Sequence, residues 1–216
     1  MKNFSLKSMS KIFSLLAVVT LFSVIYLNAG DAKLQMAEVN KPAPNFTLKD
    51  SKGKSHNLTD FKGKYVVLEW VNYDCPFVKK HYDSNNMQAL QKEFTSKGVV
   101  WLSICSSAPG KQGNFDMATI ASKSSEYKVS HTAYLLDEDG FVGKQYGAKT
   151  TPHCYVVNPQ GVLMYAGAID DNPSAKPEDA KGAKNYVREA LNSLMNGKAV
   201  ETNSTKSYGC SVKYAN

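Results

Sequence analysis

Four cysteines punctuate the chain, at positions 75, 105, 154 and 210. One of them sits where a thiol can do chemistry. In WVNYDCPFVKK, residues 70–80, an apolar run ends, Pro76 follows Cys75, and a lysine-bearing helix start comes next. Proline suits the first helical turn, because its missing N–H would have no partner there. A thiol just before it meets unpaired N–H groups and the positive end of the helix dipole, which favour thiolate. Lys79 and Lys80 add positive charge, and Asp74 opposes it. Cys75 is the candidate nucleophile for disulfide exchange or sulfenic-acid chemistry. A Cys-x-x-Cys site would place a second thiol where Val78 stands. Local closure is excluded, so a distant or external thiol must complete the reaction.

Cys105 closes the apolar run Val99–Ile104, and Cys154 lies in the apolar run after Pro152. Both read as buried strand thiols. Cys210 differs. It stands in a Tyr208-Gly209-Cys210 tail behind a polar stretch, and Gly209 permits close approach. Cys210 is the candidate resolving thiol; a free or intermolecularly paired tail cysteine is the alternative. His153, with Cys75 and Cys154, makes a conceivable copper site. His81 reads as a surface residue, His56 and His131 as loop or strand-end residues, and Trp70 and Trp101 as core.

Several elements must position these residues. The stretch from Pro42 enters an extended hairpin with Gly53 in its turn. Tyr65–Val71 and Val99–Ser106 are nearly continuous apolar runs and read as central strands. A helix is expected between them, from about Phe77 to Lys97, stopped by Gly98. A short helix over 116–126, a strand from Thr132 to Leu136 and a helical turn from Phe141 follow. Thr151-Pro152 leads into a strand, the Asn158-Pro-Gln-Gly turn returns it, and an amphipathic helix spans about Glu178 to Met195. Alternation of strands and helices predicts an α/β fold, a central mixed sheet with helices on both faces and an N-terminal hairpin extension. Residues 33–195 form that domain, and 196–216 a flexible C-terminal tail.

The first residues read differently. Lys2, Lys7 and Lys11 precede the uncharged run Ile12–Leu27, and small residues follow. Residues 1–32 are a signal peptide or an uncleaved N-terminal anchor, so the domain is expected outside the cytoplasm, periplasmic in a two-membrane cell. Removing them takes three lysines and Asp31 from the net charge of +7. Export makes disulfide chemistry available. The remaining basic residues are scattered lysines, with Arg188 the single arginine, so a nucleic-acid site is not indicated. Nothing in the sequence asks for a cofactor.

Three stretches, PAPNFTL, VVLEWVNYDCPFVKK and KTTPHCYVVNPQGVLMYAG, resemble in order and spacing the thioredoxin-fold redoxins. These are the alkyl hydroperoxide reductase/thiol-specific antioxidant group and the exported thioredoxin-like proteins. The resemblance implies a thioredoxin-like fold and a thiol-dependent oxidoreductase acting on protein or small-molecule thiols and disulfides. It also implies a cis Thr151-Pro152 bond beside Cys75, with the Thr151 backbone open to an extended substrate. A peroxiredoxin would carry threonine where Asn72 stands and an arginine near the thiolate. Asn72 is the candidate substitute, which keeps a thiol peroxidase acting on peroxides as an alternative. A Sco-type copper carrier, which uses two thiols at the strand–helix turn, is the other.

Overall fold

The computed structural model describes residues 35–215. The signal segment or anchor expected over residues 1–32 lies outside the described residues. Nine strands and five α-helices are present among them: β1 (Thr47–Asp50), β2 (Ser55–Asn57), β3 (Val66–Trp70), α1 (Pro76–Asp83), α2 (Asn86–Thr95), β4 (Val100–Cys105), α3 (Met117–Glu126), β5 (Ala133–Leu136), α4 (Phe141–Tyr146), β6 (Thr150–Thr151), β7 (His153–Val157), β8 (Leu163–Gly167), α5 (Tyr186–Met195) and β9 (Cys210–Ser211). Seven strands make one sheet in the order β2-β1-β5-β4-β3-β7-β8. The β3/β4 and β4/β5 pairs are parallel, and the other neighbours antiparallel. This is the mixed sheet that the alternation of elements implies, with the β1–β2 hairpin joined through β5.

The two-residue period of the central strands divides the core. Val66, Leu68 and Trp70 face one side with Leu102, Ile104, Tyr155, Val142 and Tyr146, so α4 covers that face. Val67, Val71, Trp101 and Val156 face the other, packed against side chains of α1, α2, α3 and α5. Every residue of β3, β4 and β7 is buried, which is why these runs lack polar alternation.

Two expected helices are interrupted. The one foreseen from Phe77 to Lys97 breaks at Asn85, whose φ is +58°. The run Asp83-Ser84-Asn85-Asn86 explains it: these side chains compete for backbone bonds, and Asn tolerates the left-handed region. The helix foreseen from Glu178 is a 3₁₀ turn at Pro177–Ala180, then α5. Gly182, at φ +81°, lies between them.

One carboxylate lies deep in this core. Glu69 of β3 is fully buried and accepts from Trp101 Nε1 (2.7 Å), Tyr82 Oη (2.8 Å), Gln91 Nε2 (3.1 Å) and Ser103 Oγ (3.2 Å). Burial raises its carboxyl pKa, and those donors oppose the shift. Glu69→Ala should lower the unfolding free energy by about 3 kcal/mol or more, because it strands four buried donors. Urea denaturation at neutral pH reads the loss; an unchanged midpoint would show that water replaces the carboxylate.

Candidate active site

Cys75 is the N-cap of α1, directly before Pro76 at N1. The approach from β3 is fixed locally. Val71 N–H bonds to Ile104 O (2.9 Å), Asp74 N–H to Asn72 Oδ1 (2.9 Å) and Cys75 N–H to Asn72 O (2.9 Å). The Asn72 amide also donates to Gln112 O (3.2 Å), so both its ends are engaged in holding the loop. Gly113 makes room for it: a Cβ there would lie 2.5 Å from Asn72 Cγ. Asp74 pairs with Lys123 of α3 at 3.3 Å. Val78, where a second thiol would stand, is core.

The Cys75 thiol is 0% exposed and donates to Thr151 O at 3.1 Å. Thr151-Pro152 is a cis peptide, and both residues are buried. The strand Thr150–Thr151 is already paired. Its partner is β9, antiparallel, with Thr151 opposite Cys210 and Thr150 opposite Ser211. The Cys210 thiol is raised to about 11, first by burial and then by its hydrogen bond with the Cys75 thiol; Lys213 and the Phe77 backbone N–H pull the other way. Both thiols are free in this structure. The residue bonded by Cys75 is thus the register partner of Cys210.

Where a flexible tail was expected, the described tail residues are bonded to the body along much of their length. Asn203 O and the Thr205 N–H bond to Ala166 at the edge of β8, each at 3.1 Å. Thr205 Oγ1 accepts from Ala168 N–H at 2.9 Å and lies 2.7 Å from Tyr165 Oη. Beyond Cys210, Val212 N–H reaches Lys149 O (3.1 Å), and Lys213 O accepts from Ala108 N–H (2.9 Å). Tyr214 Oη donates to Ala148 O (2.8 Å), its ring lying on Gly140 and Gly143. Gly209, at φ +124°, passes so close to Thr151 that a Cβ would sit 2.1 Å from Thr151 O.

Tyr208 fixes the approach to Cys210. Its ring meets Phe77 at 6.0 Å between centroids, with Lys80 Nζ 5.5 Å from its centre. Its hydroxyl donates to Asp170 Oδ1 and accepts from His81 Nε2 (3.1 Å), while His81 Nδ1 takes the Asn86 amide (2.8 Å). Lys80 is 0% exposed, donating to Asn172 O at 2.5 Å and lying 3.6 Å from Asp170 Oδ2. His81, which reads as a surface residue in the sequence, is also 0% exposed. The reason is that α1 presents this side to the docked tail and the loop after β8. In the sequence Lys80 stands out only as positive charge near Cys75, and Asp170 does not stand out at all. The available signal was a Lys-His pair on the helix after Cys75 and an Asp-Asp-Asn turn late in the chain.

The other thiols are core. Cys105 Sγ donates to Gly113 O (3.3 Å). Cys154 is opposite Glu69 across β3/β7, and its pKa is raised well above the ordinary range by burial and then by Glu69 and Asp170. His153 Nδ1 lies 3.0 Å from Tyr155 Oη. Arg188 donates to Glu93 at 3.0 Å, on α5.

Burial, then Lys80, lowers the His81 pKa from 6.5 to about 3. In that window the unfolded chain binds the extra proton, so this ring's contribution is whole above 6.5 and is lost as pH falls. Between pH 6.5 and about 5, wild type should lose about 1.6 kcal/mol more than His81→Asn, measured by urea denaturation at both values. Parallel pH dependences would mean that the ring is not held neutral.

The AhpC/TSA family profile matches residues 39–166. Thiol-disulfide oxidoreductase ResA of Bacillus subtilis (strain 168) is 29% identical over 152 residues, 69% of this chain and 78% of the relative. Thiol:disulfide interchange protein DsbE of Escherichia coli (strain K12) is 26% identical over 195 residues, 83% of this chain and 93% of the relative. A crystal structure of an uncharacterized conserved protein from Geobacillus kaustophilus superposes with a TM-score of 0.72 at 28% identity, covering 83% of this chain and 94% of its own. One of a hypothetical protein from Sinorhizobium meliloti, 23% identical, also gives 0.72 over 84% and 97%. The family match takes in Cys75 and the cis proline and stops before Cys210. Covering more than half of the sequence on a thioredoxin-like fold, it establishes that this chain belongs to the AhpC/TSA family.

Proposed function

We propose that the chain is an extracytoplasmic thiol-disulfide oxidoreductase in which Cys75 is the nucleophile and Cys210 the resolving thiol. The observation that carries the reading is the shared residue between them: Cys75 Sγ bonds to Thr151 O, and Thr151 pairs with Cys210. Thiol-disulfide oxidoreductases among the relatives support the reaction class. The basic and apolar start of the sequence, Lys2 to Leu27, supports export or tethering.

The cycle balances simply. The Cys75 thiolate attacks a substrate disulfide, forming Cys75–S–S–R and releasing the other substrate thiolate. Cys210, as thiolate, then attacks Cys75 Sγ. The bond to R breaks, R leaves as thiolate, and Cys75–S–S–Cys210 remains. Two electrons have passed to the substrate, and an external thiol reductant must return them. The site favours disulfides over peroxides, since the Asn72 amide is engaged in its loop and Arg188 in its pair with Glu93. Asn72, Pro76, Thr151 and Pro152 support Cys75 by shaping the turn and the strand edge.

Reduced wild-type protein should reduce an aromatic disulfide reporter catalytically with a thiol reductant present. Cys75→Ser should fall to the uncatalysed rate, and Cys210→Ser should accumulate a mixed disulfide on Cys75. Full activity in Cys75→Ser would remove it as nucleophile. Gly209→Ala isolates the tail, since its Cβ would strike Thr151 O. It should weaken Cys75–Cys210 pairing about tenfold or more in a glutathione redox buffer, about 1.4 kcal/mol. Mapping linked peptides reads the ratio, and pairing equal to wild type would contradict the docking.

A further inference from the structure

We propose that the external thiol partner enters the oxidised site at Cys210, so that the tail sulfur, not the helix N-cap sulfur, faces the partner. The inference rests on the Cys75–Cys210 pairing proposed above. It concerns the direction of exchange, which that pairing leaves open.

A disulfide has two sulfurs, and which one is attacked depends on access and on the leaving thiolate. Access is unequal here. Cys75 is 0% exposed, with its Sγ on Thr151 O. The strand that carries Thr151 is covered on its pairing edge by β9, and Gly209 lies against the Thr151 carbonyl. Cys210 is only partly buried, and its neighbour Ser211 is exposed. Lys213 is near enough to act electrostatically on the Cys210 sulfur, and its Nζ donates to Ser211 Oγ at 3.2 Å. An approaching thiolate therefore meets Cys210 with a cation beside it.

The leaving side agrees. Attack at Cys210 expels Cys75 at the N-cap of α1, directly before Pro76, where the positive end of the helix dipole favours a thiolate. Attack at Cys75 would expel Cys210, whose partial burial disfavours the thiolate, with Lys213 and the Phe77 N–H opposing that cost. The tail anchors at Tyr208 and Tyr214 hold Cys210 in place in either case.

The step is R–S⁻ + Cys75–S–S–Cys210 → R–S–S–Cys210 + Cys75–S⁻. A second partner thiolate, R′–S⁻, attacks the partner sulfur of R–S–S–Cys210, giving R–S–S–R′ and the Cys210 thiolate. The partner pair is oxidised by two electrons and the protein disulfide reduced by two. The reductant is by class a dithiol, or two monothiols.

The test uses the unaltered chain and glutathione. Oxidised protein is first mapped for the Cys75–Cys210 peptide. Glutathione is added, and the mixture is quenched within seconds in excess N-ethylmaleimide, which caps each freed thiolate. Peptide mapping then counts two species. The expected result is glutathione on Cys210 with maleimide on Cys75, at least tenfold over the inverse. Glutathione on Cys75 with maleimide on Cys210, or equal amounts of both, would overturn the proposal and leave the pairing intact. Absence of the linked peptide at the outset would instead overturn the pairing, and this inference with it.

Discussion

The antiparallel contact between Thr150–Thr151 and Cys210–Ser211 is the interaction on which the site depends. It is only a two-residue ladder, and alone it would be marginal. It persists because both flanks are fixed. The tail is bonded to β8 before it and to Lys149, Ala108 and Ala148 after it. In this geometry Cys210, far from Cys75 in sequence, lies beside it at the edge of the Thr150–Thr151 strand. Gly209 is the point of closest approach, and only a residue without a side chain fits against the Thr151 carbonyl.

The polar cluster beneath Tyr208 has a related logic. Burying Lys80, His81 and Asp170 costs solvation, and Asp170 Oδ2 has no hydrogen-bond partner. A packed apolar patch would hold a tail at lower cost, but it would not specify register as sharply. A phenol held between a carboxylate and an imidazole has one position that satisfies both. Since Tyr208 precedes Cys210 by two residues, across the bend at Gly209, its seating limits how far the Cys210 sulfur can wander from α1.

The parts legible in the sequence are those set by local chemistry. Cys75-Pro76 after an apolar run identifies a strand ending in a helix N-cap, and the structure places it there. The apolar runs of β3, β4 and β7 and the Gly53 turn are similarly self-contained. The break at Asn85 was written in the polar run around it, but helical periodicity on both sides masked it. The docked tail was not legible. Its order comes from partners at Ala148, Ala166, Asp170 and Thr151, dispersed over the chain, and a polar segment without periodicity resembles a linker. His81 and Lys80 were hidden for the same reason: their burial depends on a tail that sequence separates from them by more than a hundred residues.

Amide hydrogen exchange on the reduced protein tests most directly whether the tail is part of the site. Thr151 and Cys210 should be protected together, with Val212 protected through its bond to Lys149 O. The protection at Cys210 and Val212 should vanish in Gly209→Ala while β3 and β4 stay protected. Free exchange of Cys210 and Val212 in the wild-type chain, at the rate of an unfolded peptide, would contradict the account.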